Sequence, residues 1–355
     1  PVLGGWLTED YNWRWVFYIN VPVGILAFCG LIFFLPANKN RSENQFDFFG
    51  FIILSVAVGA LQMMLDRGEL KDWFASPEVL VEGIVAVVGF YVFLVHTLSH
   101  NRPFINTKLF SDTNFVVGTL LIFMIGVVLF ATLALLPPML QGLLNYPVLV
   151  TGLVTAPRGM GLLVAMIMVG RPTGRIDSRI MMVFGLFLTA VAQFQMAHFK
   201  LLMDQWPVVI SGALQGFGIG FVYIPLATVA FATLPSHLRT EGAAFFNLLR
   251  NLGSGIGFSI VQALLTRNTQ ILHSSLASQI LPYNANANFG LQSVGFKLNQ
   301  QQDLFLLNSE VTRQGSMIAY INNIYLMMVV TLLMVPLIFL FRRSRNADNN
   351  VIAVE

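Results

Sequence analysis

Residues 113–157 read TNFVVGTLLIFMIGVVLFATLALLPPMLQGLLNYPVLVTGLVTAP, with no Asp, Glu, Lys or Arg anywhere in the run. A helix needs roughly 20 apolar residues to cross a bilayer core, so this run is too long for one span. Pro137-Pro138 and Asn145-Tyr146-Pro147 are expected to divide it, because proline and the residue before it disfavour helix continuation. Working outward, spans of the same kind lie near 15–36, 47–65, 79–98, 114–137, 149–170, 180–199, 207–232, 243–265 and 316–341. The pattern predicts an all-α polytopic membrane protein with about nine transmembrane helices. Barrel strands do not give runs this long and this uniformly apolar.

Composition agrees. Hydrophobic residues make up 56% of the chain and charged ones 10%, where soluble domains carry about 25% charged. Placing the C-terminus in the cytoplasm fixes every other segment by alternation. The cytoplasmic segments then hold Lys39, Arg41, Arg102, Lys108, Arg171, Arg175, Arg179, Arg239, Arg342, Arg343 and Arg345, and the short outer ones only Arg14, Arg67, Lys71 and Lys200. That asymmetry satisfies the positive-inside rule for short loops. The net charge of +3 therefore reflects topology, and no nucleic-acid partner is implied. Cys29 is the single cysteine, so no internal disulfide forms. No cleavable signal peptide opens the chain. The start at Pro1 and the odd number of spans lead to the expectation that further N-terminal sequence precedes this chain.

Five short stretches carry a family likeness: WRWVFYINVPVG at 13–24, LQMMLDRGELKDWFAS at 61–76, APRG at 156–159, QGF with IPL at 215–217 and 224–226, and FNLLRNLGSGIG at 246–257. Together they resemble the EmrB/QacA-type drug:proton antiporters, the fourteen-helix branch of the major facilitator superfamily. In that family a G-x-x-x-G-P-x-x-G-G motif closes the fifth helix, and its tail is matched by Pro1, Gly4 and Gly5. The resemblance implies helices 6–14 of a major facilitator bundle. Residues 1–14 would be the tail of helix 5 and an outer loop, and 15–98 helix 6 with the two extra central helices. Residues 114–341 would be the C-terminal six-helix bundle with a polar periplasmic loop at 266–315, and 342–355 a cytoplasmic tail. It further implies proton-coupled efflux of lipophilic or amphipathic compounds by alternating access in the cell inner (plasma) membrane. A same-fold exporter of a metabolite, fatty acid or siderophore, or an uncoupled channel or scaffold, is the alternative. A periplasmic adaptor and an outer-membrane channel are implied partners through 266–315.

Two arginines sit inside spans, Arg158 and Arg250. An arginine at a helix centre costs about 2.5–3.5 kcal/mol on insertion scales, so it faces a cavity or a partner. Pro157 and Gly159 flank the first, and Asn247 and Asn251 neighbour the second. Each is open to two readings, a substrate contact or a structural lock between helices. Gln215, Tyr223, Phe246 and Asn247 join them as candidate pathway residues, with Met63 and Met64 weaker candidates, because promiscuous pockets combine aromatic and flexible apolar lining with a few polar groups.

All seventeen acids fall in loops, tails or near helix ends, Glu82 being the deepest. Proton coupling needs a protected group whose pKa moves with conformation. Glu82 is only a weak candidate, and the family's coupling acid lies in a first helix outside this chain. The loop 170–179 resembles the second-half copy of the superfamily's cytoplasmic motif, in degenerate form. Gly170, Gly174, Arg175, Asp177 and Arg179 are therefore candidate gating residues, as are Pro1, Gly4 and Gly5 by their motif; plain charge anchoring is the other reading. Gly212, Gly216 and Gly220, with Gly253 and Gly257, mark faces of close helix approach, Gly218 adding a weaker point. The chain has no nucleotide-binding loop, no H-E-x-x-H and no Cys/His cluster. No enzyme, metal site or cofactor is expected; the proton motive force is the energy source the resemblance implies.

Overall fold

The computed structural model describes residues 2–34, 46–100, 103–170, 176–280 and 301–342. Its helices are α1 (Val2–Asp10), α2 (Trp15–Tyr18), α3 (Asn20–Phe34), α4 (Phe48–Gly68), α5 (Pro77–Ser99), α6 (Thr113–Gly142), α7 (Val148–Gly170), α8 (Ser178–Met196), α9 (Trp206–Ala232), α10 (Arg239–Ala277) and α11 (Gln301–Ile338). Among the described residues, nine helical spans are long and apolar enough to cross a membrane.

Acids open several of these helices. Asp47, Asp112 and Asp177 accept the backbone N–H of Gly50, Phe115 and Arg179, capping α4, α6 and α8. A short carboxylate at this position satisfies an orphan amide and meets the positive end of the helix dipole. Each of these acids thus has a local structural partner at its helix start.

Helices α6 to α11 form the bundle. α9 lies between α7 and α8, α10 lies along α6, and α11 joins α8 to α10. Glycine sets these contacts. A Cβ at Gly216 would overlap the carbonyl of Arg158, and one at Gly220 the side chain of Ala165, so α9 presses on α7. Gly218 instead faces Gly185 of α8, so α9 has two close faces and Gly218 belongs to the second. Gly212 meets only an ordinary contact, 3.8 Å from the Arg158 Cβ. Gly126, Gly253 and Gly257 close α6 onto α10.

Two boundaries differ from expectation. Pro137 and Pro138 do not end α6, which runs on to Gly142. Its buried faces keep it helical through two missing amide donors, and the chain turns only where Asn145 takes φ 56°. Asparagine tolerates this left-handed conformation. The polar segment 266–315 is helical at both ends, where α10 and α11 run beyond their apolar parts. His273 Nε2 and Asn308 Oδ1 join the two extensions at 3.0 Å.

Outside the bundle, α4 and α5 form a hairpin that touches it through α10. α3 buries no residue, and α1 lies against α7.

Candidate functional site

Two polar side chains buried in the middle of the bundle, Arg158 and Gln215, converge on one turn of α6. Arg158 of α7 is only 7% exposed. Its Nη2 donates to the Leu129 carbonyl at 3.1 Å, while Nη1 has no hydrogen-bond partner. Gln215 of α9 is fully buried, and its Nε2 donates to Thr132 Oγ1 at 3.3 Å, leaving Oε1 unpartnered. Both side chains thus anchor within one helical turn, and buried polar atoms left unmade are costly wherever they occur. α7 stays helical through Pro157, so the backbone at Arg158 is not broken.

Beside Arg158 is a cavity of about 300 Å³. Leu133, Leu136, Leu162, Val208 and Ile219 supply much of its apolar wall, and Arg158 is its charged residue. Pro137 also lines it. The two prolines lack the amides that would otherwise reach the Leu133 and Ala134 carbonyls of the helix.

A second polar contact joins α9 to α10. Arg250 Nη1 donates to the Tyr223 hydroxyl at 2.9 Å. The Arg250 carbonyl is the group a Cβ at Gly126 would strike, so this arginine is fixed on both its backbone and its side chain. Phe246 is buried and packs its ring 5.4 Å from Phe231 in the bundle core. Asn247 is exposed and donates to the Ala243 carbonyl of its own helix at 2.9 Å. The six pathway residues therefore separate into two contacting groups, Arg158 with Gln215 around α6 and Tyr223 with Arg250, while Phe246 and Asn247 join neither.

At the end where α8 starts, Asp177 acts as the helix cap. Arg179 Nη2 donates to the Phe341 carbonyl. Asn114 accepts from the Arg342 amide at 2.7 Å and donates to its carbonyl at 3.0 Å. Together Arg179 and Asn114 clasp the end of α11. A Cβ at Gly170 would meet open space. Pro1, Gly174 and Arg175 lie outside the described residues. A Cβ at Gly4 meets nothing, whereas Gly5 packs on Val148 and Leu149, and Glu9 accepts the Leu149 amide at 2.8 Å.

Three further polar features escaped sequence reasoning. Gln193 is fully buried and accepts from Thr331 Oγ1 at 2.9 Å, with its own Nε2 unpartnered. Asn323, also buried, donates to the Val261 carbonyl at 3.1 Å. Asp47 gathers His96 Nε2 at 3.0 Å and the Phe104 amide at 3.0 Å, in addition to its cap. Burial alone would raise the Asp47 carboxyl, but the Gly50 amide, His96 and the Phe104 amide together hold it below its ordinary value. An uncharged Gln or Asn inside an apolar span was a readable signal; a pairing 49 residues apart was not. Among the described residues no carboxylate reaches the middle of a span. Glu82 pairs with Arg67 at 3.5 Å near the other end of the hairpin.

A family model described as Major Facilitator Superfamily matches residues 1–258. The multidrug export protein EmrB of Escherichia coli K12 is 32% identical over 334 residues, which is 92% of this chain and 64% of that protein. The fatty acid resistance protein FarB of Neisseria gonorrhoeae is 32% identical over 347 residues, 96% of this chain and 68% of that protein. This chain thus spans about two thirds of the length of such relatives. The solved structure of a bacterial homolog of the human lysosomal transporter Spinster, inward-facing and unoccupied, superposes with TM-score 0.45 at 15% identity. It covers 82% of this chain and 69% of that one, too loosely to bear on the site.

Proposed function

The chain belongs to the major facilitator superfamily, in its EmrB-type branch, and on that premise we propose that it supplies helices 6–14, here α2 to α11, of a proton-driven exporter of lipophilic compounds. The chain is a multi-pass membrane protein. The observation that supports the reading best is the pairing of a buried, under-satisfied Arg158 with a mid-bundle apolar cavity. Carriers of inverted-repeat architecture bind cargo near the bilayer midplane between rocking units, and Arg158 lies near the middle of the apolar helix α7.

In this reading Arg158, Gln215, Tyr223 and Arg250 touch or position cargo, and Phe246 and Asn247 border the path. Asp177 and Arg179, with Gly170, Gly174 and Arg175, act at the inner gate, where the clasp on α11 breaks as the bundle rocks. Gly5 acts at the contact with α7, and Pro1 and Gly4 act with it by the motif they share. Energy comes from the proton motive force with no cofactor and no bond chemistry, so the protein is not an enzyme. It resides in the inner (plasma) membrane with its C-terminus in the cytoplasm. The helical extensions of α10 and α11 would meet a periplasmic adaptor and, through it, an outer-membrane channel.

The gene product that contains this chain is tested in an efflux-deficient host loaded with a lipophilic dye. Dye retention falls on expression and recovers when an uncoupler collapses the proton gradient. Efflux that ignores the gradient at equal expression sinks the coupled-exporter reading in favour of an uncoupled channel.

A further inference from the structure

We propose that the groove between the α4–α5 hairpin and α10 binds one phospholipid with a primary ammonium head, a phosphatidylethanolamine, which wedges the hairpin against the bundle. The site requires only that the spans lie in a bilayer; it is independent of what the bundle carries.

The two helices that form the groove touch further along their length, where a Cβ at Gly255 of α10 would overlap the Gln62 amide of α4. Toward their starts they leave a cavity of about 430 Å³, within the roughly 300–1,000 Å³ range of ligand pockets. Its lining runs from Phe51 to Val58 on α4 and from Thr240 to Leu248 on α10, roughly 10–12 Å of helix on each side. Phe104 and Ile105 also line it, and the Phe104 amide is fixed by Asp47 at 3.0 Å.

The polar lining gathers at one end. Glu241 is exposed in the first turn of α10, with Thr240 beside it, and it is the one charged residue of the lining. Among the described residues no ion pair reaches Glu241. Arg239, two residues before it, donates its Nε–H to the Leu234 carbonyl at 3.2 Å. Ser55, the remaining hydroxyl, donates to the Phe51 carbonyl of its own helix at 2.8 Å. The groove therefore presents a carboxylate where α10 begins and an apolar wall toward mid-span, the polarity of a lipid lying in one leaflet.

Charge selects the head group. A carboxylate repels anionic phospholipids. Ethanolamine and choline heads both carry a cation, but only the primary ammonium donates N–H to a carboxylate, and such charge-assisted bonds are about twice as strong as neutral ones. Position selects a bilayer lipid over a soluble amphiphile. Phe51 is 43% exposed, and the hairpin spans are only 17% and 11% buried, so the groove opens on the surroundings of the hairpin. In a membrane those surroundings are lipid.

The test purifies and delipidates the gene product that contains this chain, then adds equal amounts of dioleoyl phosphatidylethanolamine, phosphatidylcholine and phosphatidylglycerol for native mass spectrometry. The ethanolamine lipid should give the dominant single adduct, at least about threefold over the choline lipid, a fraction of one charge-assisted hydrogen bond. The glycerol lipid should bind weakest. E241Q should bring the ethanolamine and choline lipids level, and E241D should keep part of the preference. Ala244 lines the groove and is exposed, so A244W fills the space and should weaken both lipids together even if E241Q does not fold. Equal adducts of the two lipids on wild type, a preference that survives E241Q, binding unchanged by A244W, or displacement of the bound lipid by equimolar tetraphenylphosphonium overturns the proposal.

Discussion

The bundle α6–α11 and the hairpin α4–α5 are both built of apolar helices, yet their polar ties lie in different places. In the bundle, between 28% and 56% of each apolar window is buried, against 17% and 11% in the hairpin. Bundle helices meet through glycines at mid-span, and their buried polar groups lie there too. The hairpin also has a close glycine contact at mid-span, Gly89 on Ala57, but its polar ties lie at its ends. Asp47 joins α4, α5 and the Phe104 segment at one end, and Arg67, Lys71, Glu78 and Glu82 form ion pairs at the other. Apolar sequence therefore marks a span, while buried polar residues at mid-span mark the helices of the bundle.

Substitutions can break this contrast. The largest effect is expected at G216A, where the new methyl meets the backbone of Arg158. Overpacking costs about 1–3 kcal/mol and more where backbone must move, so the yield of monodisperse protein and its thermal midpoint should fall sharply. G59A, in open space on α4, should be neutral or raise the midpoint, since alanine is favoured over glycine in a helix by up to ~1 kcal/mol.

Y223F comes next. It removes the hydroxyl that accepts from Arg250, a hydrogen bond to a charged group worth about 1.5–3 kcal/mol. A thermal midpoint equal to wild type would show that this contact contributes nothing to the bundle.

D47A should cost about 1 kcal/mol as a lost cap, with the His96 and Phe104 contacts in addition, and the loss should be confined to the hairpin in hydrogen exchange. The sign with pH follows from the lowered carboxyl. Its stabilisation is present above the ordinary carboxylate value of about 3.9 and is lost as pH falls through the lower folded value. Exchange in α4 and α5 should therefore rise below about pH 4 while the bundle stays protected. At the exposed end of the hairpin, E78Q should leave the midpoint unchanged, as solvent-facing ion pairs add little.

Much of the fold was legible because spans are a property of local composition. The ends of α7 and α9 follow from proline, glycine and polar punctuation alone. What failed was the break at Pro137-Pro138, because tertiary packing on both faces of α6 outweighs two absent amide donors. Arg158, Gln215, Tyr223 and Arg250 were each visible as polar residues in apolar spans. Their partners were not, since Leu129 and Thr132 attract no notice until α6 is laid beside α7 and α9. The Asp47–His96 contact was invisible for the same reason: each residue reads as an ordinary helix-end group, and only the hairpin brings them together.

The most direct test sets the two regions against each other in one efflux assay, with R158Q and D47A at equal membrane abundance. The account predicts that R158Q lowers export by at least about tenfold, the loss of one buried charge-assisted contact, while D47A stays near wild type. Unchanged export by R158Q, with export lost in D47A, would contradict it and move the working site from the bundle to the hairpin.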